Sequence, residues 1–245
     1  MIKVVDLHKT FGTHRVLSGI QLEIPAGSTC VILGGSGSGK TVLMKHMIGL
    51  LKPDSGQVII DGEDIVPMGT DELERVRRKF GMVFQAAALF DSMTVYENVA
   101  FPLREHRRKL PEEQVREIVR AKLALMGLNG VEDKFPADLS GGMRKRVGLA
   151  RAIVLDPKIV LYDEPTTGLD PITTDYVDEM ILAAKRELGV TSVVISHDIA
   201  SAFNVADQIA FLHKGLIVER GTPEQLRVSE HPAVKVFLQT WFGKN

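Results

Sequence analysis

Eight consecutive residues, Gly34-Gly35-Ser36-Gly37-Ser38-Gly39-Lys40-Thr41, hold the densest chemistry in the sequence. They satisfy the spacing G-x-x-x-x-G-K-[ST], in which glycines let backbone N–H groups converge on phosphate oxygens at a positive helix N-terminus. Lys40 adds a point charge at the β- and γ-phosphates, and the Thr41 hydroxyl is a ligand for Mg²⁺. With glycine near 7% of average usage, the four fixed positions match by chance in roughly one chain of this length in a hundred. The apolar run 28–33 comes before the motif and a helical pattern follows it. That context selects a nucleotide site over an accidental Gly-rich turn, with ATP and Mg²⁺ as the expected ligands.

A second stretch, Ile159-Val160-Leu161-Tyr162-Asp163-Glu164, ends four apolar residues in two acids. Adjacent carboxylates more often form a solvated turn. At the carboxyl end of a buried strand downstream of a phosphate loop they read differently. There Asp163 holds Mg²⁺, usually through water, and Glu164 polarises an attacking water.

The elements that must position these groups follow from the hydrophobic pattern. Residues 28–33, 158–162 and 191–195 are continuous apolar runs, as expected of parallel strands covered on both faces. Between the last two runs, Val177, Met180, Ile181, Ala184 and Leu188 recur at helical spacing, with Pro171 in the first turn and Gly189 past the end. Near the N-terminus, 4–11, 16–24 and 57–61 are short strand-like runs separated by turns, predicting an antiparallel sheet beside the core. Residues 209–212 and 216–218 flank His213-Lys214-Gly215 as a hairpin. From about Ala88 to Leu155 the strand signal fades and helices are expected. One opens at Pro111-Glu112-Glu113 with the stripe Val115, Val119, Leu123 and Met126, closed by Gly127. The expected fold is α/β, a P-loop NTPase (RecA-like) core with an N-terminal antiparallel β subdomain and an inserted α-helical subdomain. Residues 1–245 are read as one domain, its core at about 1–87 and 156–245 and its helical part at about 88–155.

Composition narrows the partners. The chain has 245 residues, 30 Lys plus Arg against 31 Asp plus Glu, and a formal charge of −1, which argues against sequence-independent nucleic-acid binding. A single cysteine, Cys30, forbids an intrachain disulfide and fits a reducing compartment. No apolar run approaches the roughly 18 residues of a membrane span, and Asp6, His8 and Lys9 break any secretory-signal pattern. The mean hydropathy of +0.06 is nevertheless slightly high, from buried strands or from an apolar surface reserved for a partner.

Leu139-Ser140-Gly141-Gly142-Met143 precedes the Asp163 strand and opens a helix with the stripe Met143, Val147, Ala150 and Val154. A Ser-Gly-Gly helix start is a second anion site. Here almost the whole chain resembles the nucleotide-binding subunit of ABC transporters. In that family this motif closes on the γ-phosphate held by the phosphate loop of a second subunit, so the resemblance implies a homodimer, with Ser140, Gly141 and Gly142 binding nucleotide across it. Other positions follow in the family's order. Phe11 resembles the aromatic that stacks on adenine, although alone it reads as a core aromatic. Gln85 resembles the glutamine that touches Mg²⁺ and the attacking water. Gly168-Leu169-Asp170-Pro171 resembles the loop crossing the dimer interface, and His197 the switch histidine at the γ-phosphate. Met143 departs from the family's glutamine, whose polar contacts a thioether cannot make. The phosphate-facing Ser140 and Gly142 are intact, so hydrolysis is expected to survive.

The stretch 87–106, with Leu139–Met143 and 163–173, is similar to the ATPases of bacterial lipid-transport systems built on MCE proteins. That resemblance implies an integral-membrane (MlaE-like) permease, an MCE-domain (MlaD-like) lipid carrier, and in some relatives a STAS-domain (MlaB-like) protein. It places the chain peripherally on the cytoplasmic face of the inner membrane. The residues after Val236–Phe242 leave little room for a C-terminal extension of the kind some relatives carry. An ABC importer or exporter of another solute is the alternative reading. A non-transport ABC ATPase would carry long coiled-coil insertions or tandem halves, which are absent from this sequence. Arg104, Arg107, Arg108 and Lys109 form the most basic cluster, with Glu105 against them. They are read as a solvated helix end, or as a contact for permease loops or anionic headgroups.

Overall fold

A computed structural model describes residues 2–242. β1 (Ile2–Phe11) and β2 (His14–Ile24) form an antiparallel hairpin, after which β3 (Thr29–Leu33) runs into the phosphate loop and α1 (Lys40–Met47) leaves it. β4 (Ser55–Ile60), β5 (Glu63–Asp64), α2 (Thr70–Arg77) and β6 (Phe80–Val83) follow. The helices α3 (Val95–His106), α4 (Glu112–Leu125) and α5 (Gly141–Ala152) lie between β6 and β7 (Ile159–Asp163). Then come α6 (Pro171–Leu188), β8 (Thr191–Ser196), α7 (Ile199–Val205), the antiparallel pair β9 (Gln208–His213) and β10 (Leu216–Gly221), α8 (Pro223–Arg227) and α9 (Pro232–Phe242).

The strands form an antiparallel sheet, β2-β1-β4-β5, and a second sheet ordered β10-β9-β3-β8-β7-β6. In the second, every neighbouring pair from β9 to β6 is parallel, and β10 is the antiparallel edge. This is the expected α/β architecture, a parallel core flanked by an antiparallel sheet. The continuous apolar runs are explained by side chains of period two meeting a different core on each face. Val31, Leu33, Val160, Tyr162, Val194 and Phe211 face the helical side. Cys30, Ile32, Ile159, Leu161, Val193 and Leu212 face α1 and the antiparallel sheet.

The helices obey local rules where they support the site. Asp170 caps α6 by accepting from Thr173 N–H at 3.0 Å, Pro171 fills the first turn, and Gly189 ends the helix at φ 64°. Thr94 and Glu97 form a capping box at the start of α3, with N–H to oxygen distances of 2.7 and 3.2 Å. Val115, Val119 and Leu123 of α4 are buried, as the stripe predicts. Gly148 on α5 matters for packing, since a Cβ there would sit 3.2 Å from Ala87 Cβ.

Two features differ from the sequence reading. β6 carries no strand signal in the sequence, because its run is only four residues long and Gly81 interrupts it. The basic cluster is not left to Glu105 alone. Arg104 pairs with Glu112 at 3.0 Å, and Arg107 donates to the Leu155 carbonyl at 3.1 Å and lies 3.7 Å from Asp156. Among the described residues, Glu105 holds Arg108, at 3.4 Å. The partners of Arg104 and Arg107 come from other elements, which a local reading of charge does not reach.

Candidate nucleotide site

The phosphate loop runs from the end of β3, the central strand between β9 and β8, to the first turn of α1. Ligand sites of open α/β sheets lie there, beyond the carboxyl ends of the strands. Gly39 caps α1 at φ 107°, and a Cβ on it would meet the Val16 carbonyl at 3.1 Å and Leu17 Cδ2 at 3.0 Å. Gly34 has no room either, because its Cβ would run into the Leu212 carbonyl oxygen. Lys40 is buried and folds back on its own loop, donating to Gly34 O at 2.8 Å and Gly35 O at 3.1 Å.

A cavity of about 820 Å³ opens in front of this loop. It is lined by Gly35 to Thr41 and also by Gln85, Glu164 and His197, which arrive from three other strand ends. Glu164 follows β7 and holds φ 51°, a left-handed value for a non-glycine residue, with its N–H on the Ile195 carbonyl at 2.9 Å. That backbone twist turns its side chain into the cavity. Glu164 Oε2 lies 2.7 Å from His197 Nδ1 and accepts from Thr167 Oγ1 at 3.2 Å, while Oε1 is 3.6 Å from Lys40 Nζ. Lys40 and Glu164 are both nearly buried, so each charge offsets the desolvation of the other.

Asp163 is the last residue of β7. Burial, and then the adjacent charge of Glu164, push its carboxyl above the ordinary range; Lys45, Lys40 and a hydrogen bond from Thr41 oppose this. Thr41 and Gln85 line the cavity and Asp163 does not; a carboxylate at the end of β7, with that hydroxyl and amide oxygen, offers the oxygen-donor chemistry that Mg²⁺ takes. Among the described residues, Ser38 Oγ is buried without a hydrogen-bond partner. An orphaned hydroxyl beside a folded-back lysine fits a phosphate-bearing ligand.

Gln85 follows β6, and the segment after it is held under strain. Ala87 and Ala88 adopt φ 61° and 49°, and Arg151 of α5 donates to their carbonyl oxygens at 2.7 and 2.8 Å. Burial lowers the pKa of Arg151.

The remaining sequence-selected residues lie elsewhere. Ser140, Gly141, Gly142 and Asp170 line a separate cavity of about 370 Å³ at the start of α5 and α6. There Ser140 Oγ accepts from Met143 N–H at 3.3 Å, and Met143 packs partly buried against the helical core. Phe11 is 46% exposed at the end of β1, does not line the large cavity, and has Lys9 Nζ 5.5 Å from its ring. Val16, Thr167, Ile199 and Phe237 line the large cavity without having been singled out. Thr167 sits within the run after Glu164 and was within reach of a local reading. Phe237 had no local signal, since it arrives from α9 by packing edge-on against Phe211 at 5.1 Å.

The chain is similar to known proteins over almost its whole length. A profile described as ABC transporter matches residues 17–167. The chain is 48% identical over 237 residues to the "Probable ribonucleotide transport ATP-binding protein mkl" of Mycobacterium tuberculosis, covering 97% of this chain and 66% of that protein. It therefore spans just under two thirds of the length of that relative. It is 40% identical over 238 residues to the "Intermembrane phospholipid transport system ATP-binding protein MlaF" of Escherichia coli, covering 97% of this chain and 88% of that one. Among solved structures, cbiO1 of Clostridium perfringens, part of the ABC transporter complex cbiONQ, superimposes with a TM-score of 0.87 at 30% identity, covering 99% and 96% of the two chains. The cassette MJ0796, a dimer bound to ADP and Pi after hydrolysis, gives 0.82 at 33%, covering 91% and 99%.

Proposed function

The chain belongs to the ABC transporter family as an ATP-hydrolysing subunit, and from that premise we propose that two copies clamp ATP to power lipid transport. One observation carries the clamp. Lys40, Thr41, Gln85, Glu164 and His197 share one cavity, whereas Ser140, Gly141, Gly142 and Asp170 line another. A nucleotide site that uses both sets is complete only when a second copy brings its α5 start against the first copy's phosphate loop.

In this reading the loop N–H groups bind the β- and γ-phosphates, and Lys40 leaves the carbonyls of Gly34 and Gly35 for phosphate oxygen. Thr41 and Asp163 would hold Mg²⁺, with Gln85 beside them; the ion supplies charge neutralisation on the phosphates. Glu164 orients the attacking water and accepts its proton. His197 fixes the Glu164 carboxylate through Oε2 and reaches the γ-phosphate with its other ring nitrogen. Phe11 stacks on adenine. Ser140 and the first N–H groups of α5 meet the γ-phosphate of the opposite copy, and Asp170 lines the crossing loop.

A second surface supports coupling to a membrane partner. A groove of about 330 Å³ is lined by Phe84, Ala88, Phe90, Phe101 and Arg151 among others. Three of its aromatic rings are substantially exposed, and Phe90 and Phe101 lie 5.1 Å apart. The apolar residues after Gln85 thus join α3 in a surface suited to a permease loop. Among the described residues no helix is long and apolar enough to cross a membrane. As the ATP-hydrolysing partner of a permease, the chain is placed peripherally at the cytoplasmic face of the inner membrane. The expected assembly holds an MlaE-like permease and an MlaD-like MCE-domain carrier, joined in some relatives by an MlaB-like STAS-domain protein.

The cargo has a second reading. The relative at 48% identity bears a ribonucleotide-transport name, and the one at 40% a phospholipid-transport name. Purification of the chain with its membrane complex, followed by extraction and analysis of bound molecules, tests the two. Phospholipid in the complex supports the lipid reading, and ribonucleotide bound in its place supports the other. Recovery of the chain only as a free dimer would contradict both.

A further inference from the structure

The mechanism above leaves one buried acid without a task. Asp178 lies two turns into α6, is 2% exposed, and faces α7 rather than the nucleotide cavity. Ser201 Oγ donates to its Oδ1 at 2.5 Å and Asn204 Nδ2 to its Oδ2 at 3.1 Å. Both described donors are neutral. Burial raises its pKa above the ordinary range, partly offset by the two hydrogen bonds and reinforced by the charges of Asp198 and Asp175. An apolar residue would cost less at such a position.

Ser201 faces two ways. While its hydroxyl is held by Asp178, its N–H donates to Asp198 Oδ1 at 3.2 Å. Asp198 caps α7, accepts from Thr166 Oγ1 at 3.3 Å through its other oxygen, and directly follows His197 in the chain. Asp198 N–H in turn donates to Ser196 Oγ at 2.9 Å. A continuous set of contacts therefore runs from α6, through α7, to the residue beside the histidine that touches Glu164.

The geometry points to Asp178 as a positioning residue for ATP hydrolysis, clamping α7 to α6 so that His197 stays in register with Glu164. It rests on the reading of His197 given above. α7 has only seven residues, and a helix this short is held by tertiary contacts rather than by its own propensity. Without the clamp its N-terminus, and His197 with it, is free to shift; a misplacement of about 1 Å is enough to cost about 100-fold in rate.

Steady-state ATPase measurements on the full chain test this. Asp178→Ala is expected to lower kcat by about tenfold with KM for ATP within about twofold, because the clamp acts on the hydrolytic step and not on the phosphate loop. Asp178→Asn keeps an acceptor for Ser201 and is expected to restore most of the rate. In a His197→Ala background, Asp178→Ala should add no further loss. Should Asp178→Ala not fold, Ser201→Ala takes its place with the same expected kcat loss. A wild-type kcat in the Ala variant, a KM rise that accounts for the whole effect, or a full additional loss in the His197→Ala background would overturn the proposal. A wild-type rate for His197→Ala alone would fault the reading of that histidine by a separate measurement, and the clamp would fall with it.

Discussion

His197 Nδ1 stands 2.7 Å from Glu164 Oε2, joining the carboxyl ends of β7 and β8 across the floor of the nucleotide cavity. The contact orients the carboxylate and leaves the second ring nitrogen available for phosphate. His197→Ala should therefore lower kcat by about 10²-fold, with ATP affinity nearly unchanged. Phosphate release beside equilibrium nucleotide titration checks the split, and an unchanged kcat would remove His197 from the mechanism.

Lys40 donates to the carbonyl oxygens of Gly34 and Gly35, and on nucleotide binding these neutral acceptors are exchanged for anionic phosphate oxygens. A hydrogen bond to a charged group contributes about 1.5–3 kcal/mol. Lys40→Ala is expected to weaken ATP binding by roughly 10- to 100-fold, read by fluorescence titration with a labelled nucleotide. Unchanged affinity would count against the phosphate-loop assignment.

Gly34 is constrained by its neighbours rather than by its φ. An added Cβ meets the Leu212 carbonyl and lies 3.0 Å from Ser38 Oγ. Gly34→Ala should cost about 1–3 kcal/mol by overpacking and displace the loop, so denaturant midpoint and ATP affinity should fall together. Retention of both would show that the strand end yields easily.

His46, on α1, is 1% exposed with Nδ1 2.7 Å from the Val42 carbonyl oxygen. Burial holds its pKa below the ordinary 6.5, against the opposing pull of that hydrogen bond. In the window below 6.5 the unfolded chain binds the proton and the folded chain resists it, so stability falls as pH falls toward the folded value. His46→Gln should flatten that dependence, measured as Tm between about pH 7.5 and 5. An unaltered slope would assign the acid sensitivity to other groups.

Much of this arrangement is legible in the sequence, for a physical reason. The parallel strands meet apolar neighbours on both faces, so they appear as uninterrupted runs, and Lys40, Thr41, Glu164 and His197 stand just beyond their ends. Contacts made across long separations left little trace. Asn98 is fully buried because its side chain bonds Phe90 N–H at 2.8 Å and three carbonyls, pinning the loop that presents Phe90. In the sequence it is one asparagine in an ordinary amphipathic pattern. Phe237 and Asp178 are hidden in the same way, because what they touch is set by how α9 and α7 pack. Met143 looked like the loss of a polar contact, and in the fold it is a half-buried residue on the helical core.

The central claim is that Glu164 drives hydrolysis in a site that two copies complete. Glu164→Gln removes the proton acceptor while keeping the shape of the side chain. With ATP and Mg²⁺ present, the account predicts near wild-type nucleotide affinity, phosphate release reduced by about 10²-fold or more, and a stable dimer by light scattering. Full hydrolysis by the variant, or a monomer that binds ATP without dimerising, would contradict it.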